Sequence, residues 1–379
     1  MLSAAGIIFS NIHDKSIAEL TQKRTMASVP FGCRYRLVDF PLSNMVNSGI
    51  TNISVITHYN YLSLMEHIGS GKDWDLARRS GGIRILAPFV TAYANYSNEL
   101  YKTRLEALAG IHHSISVMKE DVVVLSDCDG ICNIDLREMV RAHEQNGADL
   151  SIAVKRMAIN EKNVNDHILV SSDEQGRLTD MLVHPHSYDQ GEAEVNINIW
   201  VISRNYLLNA LQNAQAHGYN SFSRDIISRN ISKDKLFVYR FDGYYASINS
   251  ITDYYNYSME LLRDPQVRHD LFNNPNRPIL TKVRNSAPTK HAAGAVVKNS
   301  LIADGCVIEG TVENSILFRG VKIGKGTVVK NSILFMDAYT GENVQLEYVI
   351  ADKYVSFRDG VHLCGHPELP LCIEKGRSL

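Results

Sequence analysis

The octets KNSLIADG, ENSILFRG and KNSILFMD begin at residues 298, 313 and 330, and a weaker copy, EYVIADKY, begins at 347. A repeat of roughly 16 residues, built from short aliphatic runs punctuated by Gly, Asn and Asp, cannot close a core alone, so each copy must stack on the next. Three faces of about six residues each give a coil of that length, and the segment reads as a β-helix solenoid. Leu317, Ile323, Val329 and Phe335 recur every six residues, as a prism with apolar side chains inside requires. A sandwich of regular hairpins would repeat in spacing but not in sequence.

Upstream of about residue 264 the pattern is different. Apolar runs at 4–9, 52–57, 121–126, 150–154, 195–202 and 236–241 alternate with helix-like stretches at 41–48, 60–68, 99–118, 136–146 and 203–216. That alternation predicts an α/β, Rossmann-like domain with a mostly parallel sheet, whose ligands gather at the carboxyl ends of the strands. The expected organisation is an α/β domain at 1–263, a Pro- and Asn-rich linker at 264–293 and the β-helix at 294–379.

Residues 7–24, IIFSNIHDKSIAELTQKR, lie where a nucleotide-binding sheet keeps its glycine-rich phosphate cradle, yet no glycine stands between Gly6 and Gly32. Charge excludes other classes. The formal net charge is −2 with both signs interspersed, so neither nucleic acid nor a membrane is an expected partner. No apolar run reaches the roughly 18 residues of a membrane span, and MLSAAGIIFSN lacks the pattern of a signal peptide, so a cytoplasmic protein is expected. Cys33, Cys128, Cys132, Cys306, Cys364 and Cys372 have no framework or zinc-finger spacing and read as reduced thiols.

The most specific stretch is VPFGCRYRLVDFPLSNMVNSGITNISVIT, residues 29–57. Gly32 permits a turn, Arg34 and Arg36 bring cations to it, and Pro41 opens a helix closed by Asn47-Ser48-Gly49. This stretch resembles the N-terminal signature of bacterial glucose-1-phosphate adenylyltransferases (ADP-glucose pyrophosphorylases). FDGYYASINSITDYYNYSMELL at 241–262 and the β-helix repeats extend the resemblance over nearly the whole chain. The resemblance implies a nucleotidyltransferase domain, a left-handed β-helix, a tetramer, and the reaction of ATP with glucose 1-phosphate to give ADP-glucose and pyrophosphate in glycogen or starch synthesis.

Such a reaction needs two polyanions positioned, positive charge supplied and Mg²⁺ held. With LTQKR at 20–24 fixing the register, the family's loop glycines fall on Asn11, Ile12 and Asp14, and its arginine on Ser16. Side chains then stand where backbone must approach phosphate, and Asp14 adds negative charge. Arg24 is retained, whereas the lysine that contacts nucleotide phosphates is Met26, followed by Ala27. Of the two metal-binding aspartates, the first maps to Asp129, with Asp127 a close competitor and Asp135 as the spacing reference; the second is Ser247. The sugar-phosphate lysine becomes His184, between Val183 and Pro185, and a pocket glycine becomes Asn198. The family's small-residue GTADA loop falls near Tyr96–Leu100.

The expectation is therefore a regulatory, catalytically impaired subunit of the GlgD type, with no tightly bound cofactor of its own. It would modulate a paralogous catalytic subunit that requires Mg²⁺, in a hetero-oligomer expected to be a tetramer, with a homo-oligomer open to it alone. An active sugar-1-phosphate nucleotidyltransferase with a remodelled site is the alternative. Weaker ones are a hexapeptide acyltransferase using His362 or His366, and a ligand-free scaffold. The family's effector lysine maps to Ala18. Lys23, Arg24, Lys282, Arg284, Lys290 and His291 are the basic residues left for an effector whose identity the sequence does not give.

Overall fold

The computed structural model describes residues 2–87, 101–161, 163–188 and 191–379. The chain divides into two compact units. One comprises Met1–Ile12, Phe40–Ser247 and Pro275–Leu280; the other comprises His13–Asp39, Ile248–Asn274 and Thr281–Leu379.

The first unit is built on a mixed sheet of nine strands among the described residues. Ala4–Phe9 lies parallel to Val122–Asp127 on one side and to Asn52–Ile56 on the other, and Asn52–Ile56 in turn pairs with Gly82–Leu86. The long strand Glu192–Ser203 joins Val122–Asp127 in antiparallel fashion and carries Leu150–Ala158 and Ile168–Ser172. Leu178–Val183 and Leu236–Arg240 complete the edges. The strands Gly82–Leu86, Ile168–Ser172 and Leu178–Val183 have no counterpart in the sequence-based assignment.

Ile7, Val123, Leu125, Trp200 and Ile202 share one core with the helices laid on them. Arg204–His217 shows why: its buried Leu207, Leu211 and Ala214 fall on one face at helical spacing, and Gly218, at φ 67°, ends it. Asp135 is a helix cap, its carboxylate accepting from Arg137 N at 3.0 Å at the start of Leu136–Gln145. Among the described residues no helix is long and apolar enough to cross a membrane.

The second unit contains the β-helix, three parallel five-stranded sheets that form the faces of a prism. The repeated Asn-Ser pair is its corner. Asn299, Asn314 and Asn331 take left-handed φ of 40–46°, which Asn tolerates better than most residues. The following serines form a ladder. Ser315 Oγ donates to Glu313 O at 2.7 Å and accepts from Ser332 N at 3.1 Å; Ser332 Oγ donates to Lys330 O at 2.6 Å and accepts from Val349 N at 3.1 Å. In the fourth copy Tyr348 and Val349 replace the pair, and the ladder stops there.

Leu317, Ile323 and Val329 lie inside the prism as the six-residue spacing requires. Phe335 does not. Leu317 pairs with Leu334, 17 residues on, because one face of the coil is a residue short of six. Leu334 therefore takes the inner place, and Phe335 turns outward against Phe318 and Tyr254, at ring-centroid distances of 5.1 and 6.2 Å. Phe318, Phe335 and Tyr254 are all buried, because the helix Ile251–Arg263 covers that face. Within the segment read as a linker, Pro265–Phe272 form a further helix, with Asp264 capping it and Pro265 in its first turn.

Candidate active site

In the first unit the carboxyl ends of the parallel strands bring Asn11, Asp127 and Asp129 forward. Asn11, at the first glycine position, is buried and fully engaged. Its side-chain amide meets His58 Nδ1, and its carbonyl oxygen accepts from Tyr101 Oη at 2.6 Å. Burial pushes the His58 imidazole down to about 4, so it is neutral at physiological pH and brings no charge for a phosphate. Ile12 packs on the sheet core.

Asp127 and Asp129 bring carboxylate oxygens within 4.8 Å of each other. Ser247 arrives beside them because Tyr245–Ser247 pairs antiparallel with Gly130–Cys132, placing Ser247 opposite Gly130. The fold thus brings together the positions that the resemblance assigns to metal ligands, as two carboxylates and a hydroxyl. Both carboxylates are engaged. Arg104 Nε donates to Asp127 Oδ1 and Oδ2 at 3.1 and 2.9 Å, and its Nη2 donates to Oδ2. Asn198 Nδ2 donates to Asp129 Oδ2 at 3.0 Å. Arg104 thus covers both oxygens of Asp127, and Asn198 one oxygen of Asp129, which leaves this pair poorly suited to the all-oxygen octahedron that Mg²⁺ demands.

Asn198 has φ 57°, the left-handed conformation glycine takes most easily and the one expected if a glycine stood here, and the strand register shifts between Asn196 and Trp200. The side chain that glycine lacks then reaches Asp129. His184 lies on an exposed turn at φ 52°, with Nδ1 2.9 Å from Asn165 O. The position near Tyr96–Leu100 lies outside the described residues. Arg104 escaped the sequence reading. Its signal was an arginine just after the cap residue Thr103, which usually means a solvated first turn.

In the second unit the remainder of the loop folds on itself. Asp14 Oδ1 accepts from Met26 N at 2.6 Å, and Thr21 Oγ1 donates to Asp14 O at 2.6 Å. Burial raises the Asp14 carboxyl to about 7, against the opposing pull of the Met26 amide and of His13. Ser16 lies within the single turn Asp14–Ile17, and Met26 is buried as the first residue of the turn Met26–Ser28. The retained Arg24 is buried, and its Nη2 donates to both oxygens of Asp352 at 2.7 and 2.9 Å. Beside that pair Lys353 is 7% exposed. Burial, then Arg36 and Arg24, push its amine down to about 6. Of the other basic candidates, Lys23 Nζ donates to Lys375 O at 3.4 Å, and Lys290 and His291 form an exposed strand.

Residues 15–264 match the nucleotidyl transferase family, and residues 285–369 match the GlmU-like C-terminal hexapeptide family. The glycogen biosynthesis protein GlgD of Bacillus subtilis is 32% identical over 98% of this chain and 95% of its own length. The glucose-1-phosphate adenylyltransferase of Halalkalibacterium halodurans is 33% identical over 86% of this chain and 83% of its own length. That of Fervidobacterium nodosum is 31% identical over 97% and 87% respectively. The chain belongs to the nucleotidyl transferase family, within the group that holds glucose-1-phosphate adenylyltransferases and GlgD.

Proposed function

We propose that this chain is a regulatory, catalytically impaired subunit of glucose-1-phosphate adenylyltransferase in glycogen biosynthesis. It would modulate a paralogous catalytic subunit within a hetero-oligomer, expected to be a tetramer, with Mg²⁺ required by that partner. One observation carries the reading. Asp14, at a position where a catalytic loop presents glycine, spends its carboxylate on the backbone of Met26 instead of leaving amides for phosphate. The scaffold is intact while its phosphate-binding surface is filled by its own side chains.

Arg24 and Arg36 are the cations the second unit keeps near Asp352, and Arg24 is already paired with it. The second reading, an active enzyme with a remodelled site, draws on the convergence of Asp127 and Asp129. The test is the activity and effector response of a purified catalytic paralogue with and without this chain, together with co-purification and turnover by this chain alone with ATP, glucose 1-phosphate and Mg²⁺. Co-purification with altered activity or effector response is expected. Robust turnover alone, or no association and no effect, rejects the reading.

A further inference from the structure

We infer that Arg104 is a built-in counter-cation which stands in the place of a divalent metal, making the Asp127–Asp129 site of this chain metal-independent. Two buried carboxylates with oxygens within 4.8 Å repel each other, and one of them must protonate or a cation must sit with them. The guanidinium does so. It contacts both oxygens of Asp127, and its side chain is 14% exposed against 0% for that of Asp127. It lies 5.3 Å from the ring centroid of the fully buried Trp200, a cation–π contact that adds to its hold in the site. A guanidinium cannot be deprotonated in a protein, so this cation never leaves the site and is not diluted away.

A metal would have to displace the Arg104 guanidinium from both oxygens of Asp127 and then sit beside that buried positive charge. Such an exchange is strongly unfavourable. Asn198, donating to Asp129, fills a further lone pair. The inference deepens the regulatory reading, on which it rests for its biological sense, and it is tested separately from it.

The experiment is a Mn²⁺ titration of the full chain at neutral pH, following loss of the free-ion signal by electron paramagnetic resonance. The wild-type chain is expected to take up no Mn²⁺ through the millimolar range. Arg104→Gln, which retains hydrogen-bond donors without the charge, is expected to bind at least tenfold more tightly. Arg104→Ala should do the same, and adding Asp127→Asn to either should abolish the gain. Arg104→Lys should exclude the metal as the wild type does. Circular dichroism of each variant identifies any that is unfolded, and Arg104→Gln decides the matter if Arg104→Ala does not fold. One Mn²⁺ bound per wild-type chain, or Arg104→Gln binding no better than wild type, overturns the inference. Mn²⁺ uptake by a wild-type chain that is inactive alone but regulates its partner would overturn the internal cation and leave the regulatory reading standing. Turnover by a chain that binds no Mn²⁺ would do the opposite.

Discussion

Replacing Lys353 with methionine should stabilise the protein, although it removes a side chain beside an ion pair. Lys353 is 7% exposed; Arg24, Arg36 and Lys375 repel its ammonium and Asp352 attracts it. Burial leads these effects in lowering the amine from 10.5 to about 6. Keeping that amine neutral at pH 7 costs about 5 kcal/mol, 3.5 decades at roughly 1.4 kcal/mol each. Local relaxation around buried charges recovers part of such a cost. Methionine keeps the apolar stem and adapts to the cavity. Lys353→Met should therefore gain about 2–4 kcal/mol at pH 7.

The pH dependence is the sharper readout. With the folded pKa below the unfolded one, the unfolded chain binds more protons between about pH 6 and pH 10. Wild-type stability should then rise across that window, and below it the full penalty remains. Urea denaturation at pH 6.5, 7.5 and 8.5 should show the advantage of Lys353→Met shrinking by about 1–1.4 kcal/mol per pH unit. A variant less stable than wild type at pH 7, or an advantage independent of pH, would refute the reasoning.

Asp14 should give the opposite slope. Its folded pKa of about 7 exceeds the unfolded value of 3.8, so the stability it contributes is present at low pH and is lost as pH rises through 7. Asp14→Asn keeps an acceptor for Met26 N and should be the more stable by about 1–2 kcal/mol at pH 8 but not at pH 4, as thermal melts at the two pH values will show. Phe335→Ala empties a buried place between Phe318 and Tyr254 and should cost about 3–5 kcal/mol by urea denaturation. A loss below 1 kcal/mol would mean that the helix Ile251–Arg263 does not hold that face.

What could be read in the sequence was what local chemistry decides. The Asn-Ser pair announces a left-handed corner and a hydroxyl ladder, both made within a coil or with its neighbour. Phe335 was misplaced because the period of six drifts, and only pairing across coils shows which face is shorter. The sequence shows side chains at Asn11, Asp14 and Asn198, where the resemblance implies glycine, but not where those side chains turn. Asn11 finds Tyr101, and Asn198 finds Asp129, 69 residues away. Arg104 and Lys353 were invisible for the same reason. An arginine in a first helical turn and a lysine after an aspartate look solvated until tertiary packing buries them. The strands Ile168–Ser172 and Leu178–Val183 are short and partly polar, and they gain definition only by pairing with each other and with Glu192–Ser203.

The pairing of Arg24 with Asp352 joins residues 328 apart within one unit. On a ribosome, Arg24 emerges long before its counter-ion exists. The Arg24 side chain cannot be neutralised in this way until the coil that carries Asp352 has been made, and contacts of such long sequence separation form slowly. A chain terminated shortly before residue 352 would leave the buried guanidinium of Arg24 without the carboxylate that neutralises it. The fate of the first forty residues is thus tied to a carboxylate made more than three hundred residues later, and chains that stop short of it should be the less stable.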